Sequence, residues 1–227
     1  MNLPGNATFG SIVTDRQLPL IPSAPEDLPD GLFYFDDFIN TIDAEKLLSI
    51  IDEQPWLLDL QRRVQHYGFK YDYKARKIDP SMNLGPLPDW LIPVEQSVRN
   101  KTAQLLNIDH VFDQAIVNEY EPGQGISPHV DCEPCFGEVV ATLSLNSDIN
   151  MDFSKPTLGL KISKRLETNS LALLTGSVRY EWQHSIPARK SDPADASFNR
   201  GVNKRKRRVS VTFRSVLLDE HGVGGGT

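Results

Sequence analysis

The stretch NEYEPGQGISPHVDCE, residues 118–133, is polar, punctuated by glycine and proline, and sits in the middle of a 227-residue chain. It sets His129 and Asp131 two positions apart, directly after a turn signal. In a β-strand, residues i and i+2 point to the same face, so a strand here would bring an imidazole and a carboxylate to one point. That pair is two-thirds of the 2-His-1-carboxylate triad that holds non-haem Fe(II) and leaves coordination positions open. Whether a metal site exists then depends on a second histidine.

His184 supplies it. It lies in RYEWQHSI, a strand-like run fifty-three residues after Asp131. In a jelly roll that separation lets a later strand return beside an earlier one. Alone, a His-x-Asp carries little weight in a chain with 5 histidines and 30 acidic residues. A surface histidine beside a turn is the ordinary alternative. Two further features strengthen the case. RVSVTFR places Arg208 and Arg214 six residues apart, on one face of a strand. Arginines facing a barrel interior are costly unless a carboxylate meets them, and a dicarboxylate cosubstrate would do so. Asn118 and Tyr120 share a face of the strand leading into His129, and both can hydrogen-bond a carboxylate. Taken alone, Tyr120 reads equally as a core tyrosine with a satisfied hydroxyl.

The rest of the chain is compatible with one domain. Hydrophobic residues make up 39% and charged residues 24%, as in ordinary globular proteins. No apolar run has the length of a membrane span, and MNLPGNATFG lacks the pattern of a secretory signal. Two cysteines suit a reducing interior, so a cytoplasmic location, or also a nuclear one in a eukaryote, is expected. A net charge of −6 argues against general adhesion to nucleic acid, although NKRKRR (203–208) is a local basic run.

Residues 1–28 read as an extended arm, 29–218 as the folded domain and 219–227 as a flexible tail. GLFYFDDF (31–38) predicts a strand. TIDAEKLLSIIDEQ (41–54) predicts a helix capped by Thr41, with Ala44, Leu47, Leu48 and Ile51 on one face. VQHYGFKYDY (64–73) is strand-like. DWLIPVEQSVRNKTAQLL (89–106) predicts a second helix through Leu91, Val94, Val98, Thr102 and Leu105, with Pro93 in its first turn. Beyond residue 114 come short β-rich runs: AIVNEY, VVATLSL, INMDF, LGLKI, SLALLT, VRYEW and VSVTFRSVLL. The expected fold is α+β, a jelly-roll core with the early helices packed outside.

The order N-x-Y, P-G, H-x-D, a distal H and R-x-S-x-T-F-R resembles the AlkB family of Fe(II)/2-oxoglutarate dioxygenases, from about residue 31 to 218. The resemblance implies a double-stranded β-helix in which His129, Asp131 and His184 ligate Fe(II). It implies that Asn118, Tyr120, Arg208 and Arg214 hold 2-oxoglutarate, Arg208 at the distal carboxylate and Arg214 near the metal and Asp131. Such enzymes couple decarboxylation of 2-oxoglutarate by O2 to oxidation of a nearby C–H. When the oxidised carbon is bonded to nitrogen, the hemiaminal collapses and formaldehyde leaves; when bonded to carbon, the alcohol persists.

The resemblance also implies a nucleic-acid substrate, a single strand or a flipped base, and no membrane partner; a monomer is expected. LQRRVQHYGFKYDYKARK (60–77) interleaves cations, including Arg62 and Arg63, with aromatics such as Tyr67, in the region that forms part of the lid in AlkB relatives. A solvated charged face over a buried aromatic face is the alternative. A second basic loop, 188–207, opens just after His184. Local motifs are most similar to the branch that hydroxylates modified wobble uridines in tRNA, whose RNA-recognition and methyltransferase domains have no counterpart here. Glu133, at a position where repair demethylases carry an acid that contacts the target base, favours oxidative demethylation of an N-methylated base. CEPC (132–135) reads as free thiols beside the pocket mouth. The competing readings are the same chemistry on a protein side chain or small molecule, and a non-enzymatic jelly-roll binding module.

Overall fold

The protein is described from a computed structural model covering residues 28–58, 60–193 and 202–218. The expected arm, apart from Leu28, and the expected tail lie outside these residues, as does the middle of the basic loop.

Helical periodicity places the two long helices. α1 (Thr41–Glu53) buries Ala44, Leu47 and Ile51. Its cap is Asn40 rather than Thr41: the Asn40 side chain accepts the Asp43 N–H at 2.9 Å, so Thr41 is already the first helical residue. α2 (Ile92–Leu106) carries Pro93 as its second residue, where no intrahelical N–H is needed. It buries Val94, Val98 and Thr102.

All the main strand pairs are antiparallel and form two sheets. The larger comprises β1 (Leu32–Phe35), β2 (Val64–Tyr67), β3 (Gln114–Tyr120), β5 (Val140–Leu145), β8 (Leu171–Leu174) and β12 (Arg208–Arg214), in the order β1-β8-β5-β12-β3-β2. The smaller comprises β4 (Ile126–His129), β6 (Ile149–Lys155), β7 (Leu160–Leu166) and β9 (Gln183–Ile186), in the order β4-β9-β6-β7. A short pair, β10 (Ser191–Asp192) and β11 (Asn203–Lys204), closes the basic loop at its base. These are the two sheets of the double-stranded β-helix that the strand pattern predicts.

Alternation along the large sheet explains both cores. Ala115 and Val117 of β3, Ala141, Leu143 and Leu145 of β5, and Val209, Val211 and Phe213 of β12 face α1 and α2 and join Leu47, Ile51, Val94 and Val98 in one cluster. The opposite face points at the small sheet, where Tyr120, Val140, Ala172 and Leu174 meet Met151, Phe153 and Ile186. Central strands of the large sheet are covered on both sides, so β3 and β5 are buried at every position.

One strand expectation fails. VRYEW does not extend; residues Gly176–Tyr180 form the short helix α3. The β-propensity of Val178 and Tyr180 yields to tertiary packing, because Val178 is drawn into the inter-sheet cluster. Among the described residues, no helix is long and apolar enough to cross a membrane.

Candidate active site

On β3, β5 and β12 the inner face of the large sheet mixes polar side chains with a few apolar ones such as Ile116 and Val140, where the outer face is mainly apolar. Asn118 and Tyr120 of β3, Thr142 of β5, and Arg208, Ser210, Thr212 and Arg214 of β12 line a cavity of about 520 Å³ between the sheets. That volume suits a small ligand or a single base.

At one end of the cavity are His129, Asp131 and His184, each offering one ligand atom, with all three atoms within 4.8 Å of one another. His129 ends β4 and His184 lies on β9, where the two are register partners. Asp131 is not on the strand. β4 stops at His129, and the following loop, rather than a same-face alternation, delivers the carboxylate. His129 Nε2 lies 3.4 Å and His184 Nε2 3.8 Å from Asp131 Oδ1. Nδ1 of His129 is 2.8 Å from the Ser127 carbonyl, so the Nδ1–H tautomer is favoured and Nε2 keeps its lone pair for a metal.

Electrostatics keep the donors in ligand-ready forms. Burial alone would raise the Asp131 carboxyl, but the Arg214 guanidinium overcomes it and holds the group well below the usual carboxylate range. Arg214 Nε donates to Asp131 Oδ2 at 2.9 Å. His184 is pushed down to about 3 by burial and then by its neighbour His129, so its imidazole is neutral. A neutral His184, the Nε2 lone pair of His129 and one carboxylate, with a side open to the cavity, fit an Fe(II) centre that keeps free positions.

Arg208 is the other distinctive group. It is 1% exposed, its Nη2 donates to Ser144 Oγ at 2.8 Å, and its guanidinium lies 5.6 Å from the Tyr120 ring centroid. Its Nε has no hydrogen-bond partner among the described residues. Burial pulls its pKa down to about 10. An inward-facing cation with a vacant donor fits a carboxylate ligand. Ser144 escaped the sequence reading, although Thr142 and Ser144 at alternate positions in VATLSL signal a polar inner face.

The residues expected to meet substrate do not stay together. Arg62 lines the cavity, but its Nε donates inward to Asn118 Oδ1 at 2.9 Å. Arg63 is turned away: it binds the Glu119 carboxylate and stacks on Trp56. Tyr67 packs edge-on against Trp90 and donates to Gln65, on the helix side of the sheet. Alternation along β2 sends 65 and 67 to that face. Glu133 is exposed and absent from the cavity wall. The wall is instead completed by Tyr71, Tyr73 and Arg76 from the aromatic-basic segment. In NKRKRR, Arg205 is buried on Asp192, and Arg207 bridges Glu119 and Asp52. Only Lys204 and Lys206 of that run remain exposed.

Cys132 and Cys135 are joined as a disulfide, not free thiols. The turn between them brings their Cα atoms to 5.2 Å, within disulfide reach. Both sulfurs rest near the Arg76 carbonyl, at 3.3 and 3.5 Å. Lacking S–H protons in this state, they meet it by contact only.

Residues 53–214 match the profile of the 2OG-Fe(II) oxygenase superfamily. Over 214 residues the chain is 34% identical to tRNA (carboxymethyluridine(34)-5-O)-methyltransferase ALKBH8 of Macaca fascicularis, covering 85% of this chain and 31% of that protein. It is 31% identical to the alkylated DNA repair protein ALKBH8 homolog of Arabidopsis thaliana, covering 82% of this chain and 58% of that protein. The chain thus spans about a third to somewhat over half of these relatives. In fold it is similar to the solved structure of OsALKBH1, with a TM-score of 0.57 at 15% identity over 83% of this chain and 99% of that one. With the profile spanning most of the chain and the cluster of two histidines and one aspartate in place, this chain belongs to the 2OG-Fe(II) oxygenase superfamily and is homologous to members of the AlkB family.

Proposed function

We propose that the domain spanning residues 29–218 is an Fe(II)- and 2-oxoglutarate-dependent dioxygenase that acts, as a monomer, on an alkylated base in nucleic acid. The oxidised carbon is lost as formaldehyde when it is bonded to nitrogen. One observation carries the reading. The buried Arg208, with its vacant Nε, faces the same cavity as the cluster of His129, Asp131 and His184.

In this reading His129, Asp131 and His184 hold the iron. Arg208 and Tyr120 hold the distal carboxylate of 2-oxoglutarate, while Asn118 and Arg214 serve its metal-proximal end. When bound, iron and cosubstrate supply the power to oxidise a C–H bond with O2. The chain supplies position and shelter. Arg214 orients Asp131, and Tyr71 and Tyr73 form one wall of the cavity against water. The cavity admits one base taken out of its stack. The names of the two relatives, a tRNA modifier and an alkylated-DNA repair protein, support a nucleic-acid partner.

A second reading, hydroxylation of a modified wobble uridine in tRNA, draws on the charge of the cavity wall. Among the described residues the wall carries Arg62, Arg76, Arg208 and Arg214 against a single acid, Asp131. Iron and 2-oxoglutarate cancel one another in charge, so the excess remains positive. Adenine or cytosine methylated on a pairing nitrogen is itself cationic and meets like charge, whereas a uridine does not. Glu133, which would offset this, is outside the wall.

Mass spectrometry of nucleosides from mixed tRNA, mRNA and DNA, before and after incubation with enzyme, Fe(II) and 2-oxoglutarate, tests both. Loss of a methyl group with formaldehyde supports the first reading. One added oxygen on a uridine supports the second. Unchanged nucleosides alongside turnover on peptides overturn the nucleic-acid assignment.

A further inference from the structure

Arg179 lies on α3, the helix that replaced an expected strand, and its side chain is 2% exposed. Its guanidinium is directed at three backbone carbonyls: Nε at Gly137 (3.1 Å), Nη1 at Asp131 (3.0 Å) and Nη2 at Phe136 (3.0 Å). A buried arginine satisfying loop carbonyls is an ordinary structural device. Here one of the three carbonyls belongs to the candidate metal ligand itself.

That matters because Asp131 lies beyond the end of β4 and is not held by a strand ladder. The loop from residue 130 to 139 is braced by the Cys132–Cys135 disulfide, by Cys135 and Phe136 N–H to Cys132 O, and by Gly137 N–H to Ser215 O and Leu217 N–H to Cys135 O, but these act on residues 132–137 and not on Asp131. Two arginines hold Asp131, one at its side chain and one at its backbone. Arg214 takes the carboxylate at 2.9 Å, and Arg179 takes the backbone. The bond to Phe136 extends the effect to the cavity wall, since the Phe136 ring meets Tyr71 at 5.5 Å and the Arg214 guanidinium at 4.6 Å. A planar fork with five donors can span three carbonyls; a lysine's single ammonium cannot hold the same geometry.

We propose that Arg179 is a positioning residue, which fixes the backbone from Asp131 to Gly137 so that the Asp131 carboxylate meets a divalent ion together with His129 and His184. The proposal rests on the metal-site reading above and adds to it a residue outside the cavity.

The test uses the full chain, stripped of metal and titrated anaerobically with Co(II), whose visible spectrum reports ligand geometry. Arg179→Lys and Arg179→Met are compared with the parent and with Arg205→Lys. The last removes another buried guanidinium, which binds Asp192 and the Pro187 carbonyl. Both Arg179 variants are expected to raise the Co(II) Kd by at least about tenfold, the range typical of lost outer-shell support, and to alter the visible spectrum. Arg205→Lys is expected to lower the urea midpoint while leaving Co(II) Kd and spectrum at parent values.

Parent-like Co(II) binding and spectrum in either folded Arg179 variant overturns the proposal. So does an equal loss in Arg205→Lys, which would mean general softening. If Arg179→Met fails to fold, Arg179→Lys decides; if neither folds, Arg179 is a folding element and the proposal fails. A parent that binds no Co(II) would instead strike down the metal-site reading itself.

Discussion

His129 on β4 and His184 on β9 are direct register partners across an antiparallel pair, with ring centroids 4.3 Å apart. Partners in such a ladder have Cβ atoms roughly 5 Å apart, so strand pairing by itself brings the two imidazoles together. The carboxylate arrives separately, on the loop. Replacing either histidine should therefore leave the sheet intact and remove metal binding. His184→Ala is expected to weaken Mn(II) affinity well beyond the roughly 10–100-fold typical of outer-shell losses. Titration calorimetry on the apo protein, beside an unchanged far-UV circular dichroism spectrum, checks this.

The same strand pair depends on Gly125. A Cβ there would lie 2.1 Å from the Ile186 carbonyl oxygen and 2.9 Å from the Ala188 nitrogen, both backbone atoms that cannot swing aside. Gly125→Ala should push β4 away from β9, costing about 1–3 kcal/mol and lowering metal affinity together with stability. Urea unfolding of apo and Mn(II)-loaded protein would show both losses.

Arg208→Met separates binding from folding. Removing a buried guanidinium whose Nε lacks a partner among the described residues should leave the apo protein as stable or more so, by about 1 kcal/mol or above. The KM for 2-oxoglutarate should rise more than about tenfold, because loss of one partner of a buried charge pair costs roughly 3–5 kcal/mol. Denaturant midpoints and steady-state kinetics give opposite signs if Arg208 receives the distal carboxylate. An unchanged KM would count against that role.

Glu119 on β3 binds Arg63 and Arg207 and is 3% exposed. Burial alone would raise its carboxyl; the two arginines reverse this and hold it below the ordinary value. A depressed folded pKa contributes stability fully present above the unfolded value, near pH 4.3, and lost as pH falls through the folded pKa. Glu119→Gln should lower stability at pH 7 by roughly 1–3 kcal/mol, nearer the lower figure because both arginines are partly solvated. It should also flatten the acid limb of the stability profile. Thermal melts from pH 3 to pH 7 would reveal it.

For nucleic acid, the segment that lends Tyr71, Tyr73 and Arg76 to the cavity wall also carries the exposed cations Lys70, Lys74 and Lys77. Neutralising Lys70 and Lys74 to glutamine should reduce the slope of log affinity against log salt by about 1.4 for a single strand, at roughly 0.7 per phosphate contact, Lys77 being paired with Asp79. Arg63→Gln should leave that slope unchanged, since Arg63 is committed to Glu119. Filter binding across a salt series distinguishes the two.

What the sequence determined by itself is the part of this protein that repeats at short range. Period-two alternation in RVSVTFR and QAIVNEY assigns Arg208, Arg214, Asn118 and Tyr120 to one face, with Ile116, and Ala115, Val117, Val209 and Val211 to the other. The 3.6-residue period placed α1 and α2 to within a few residues. The identities of His129, Asp131 and His184 were legible as residue types suited to a metal. Tertiary structure decided which side chains were still free to act. Arg63 is taken by Glu119, 56 residues away, and Arg207 by Asp52, 155 residues away. Tyr67 was settled by its packing on Trp90, and Glu133 by a turn that leaves it in solvent. The VRYEW helix and the off-strand Asp131 belong with these. A cation's role depends on which distant acid reaches it, and that choice is made by long-range pairing, which local pattern does not encode.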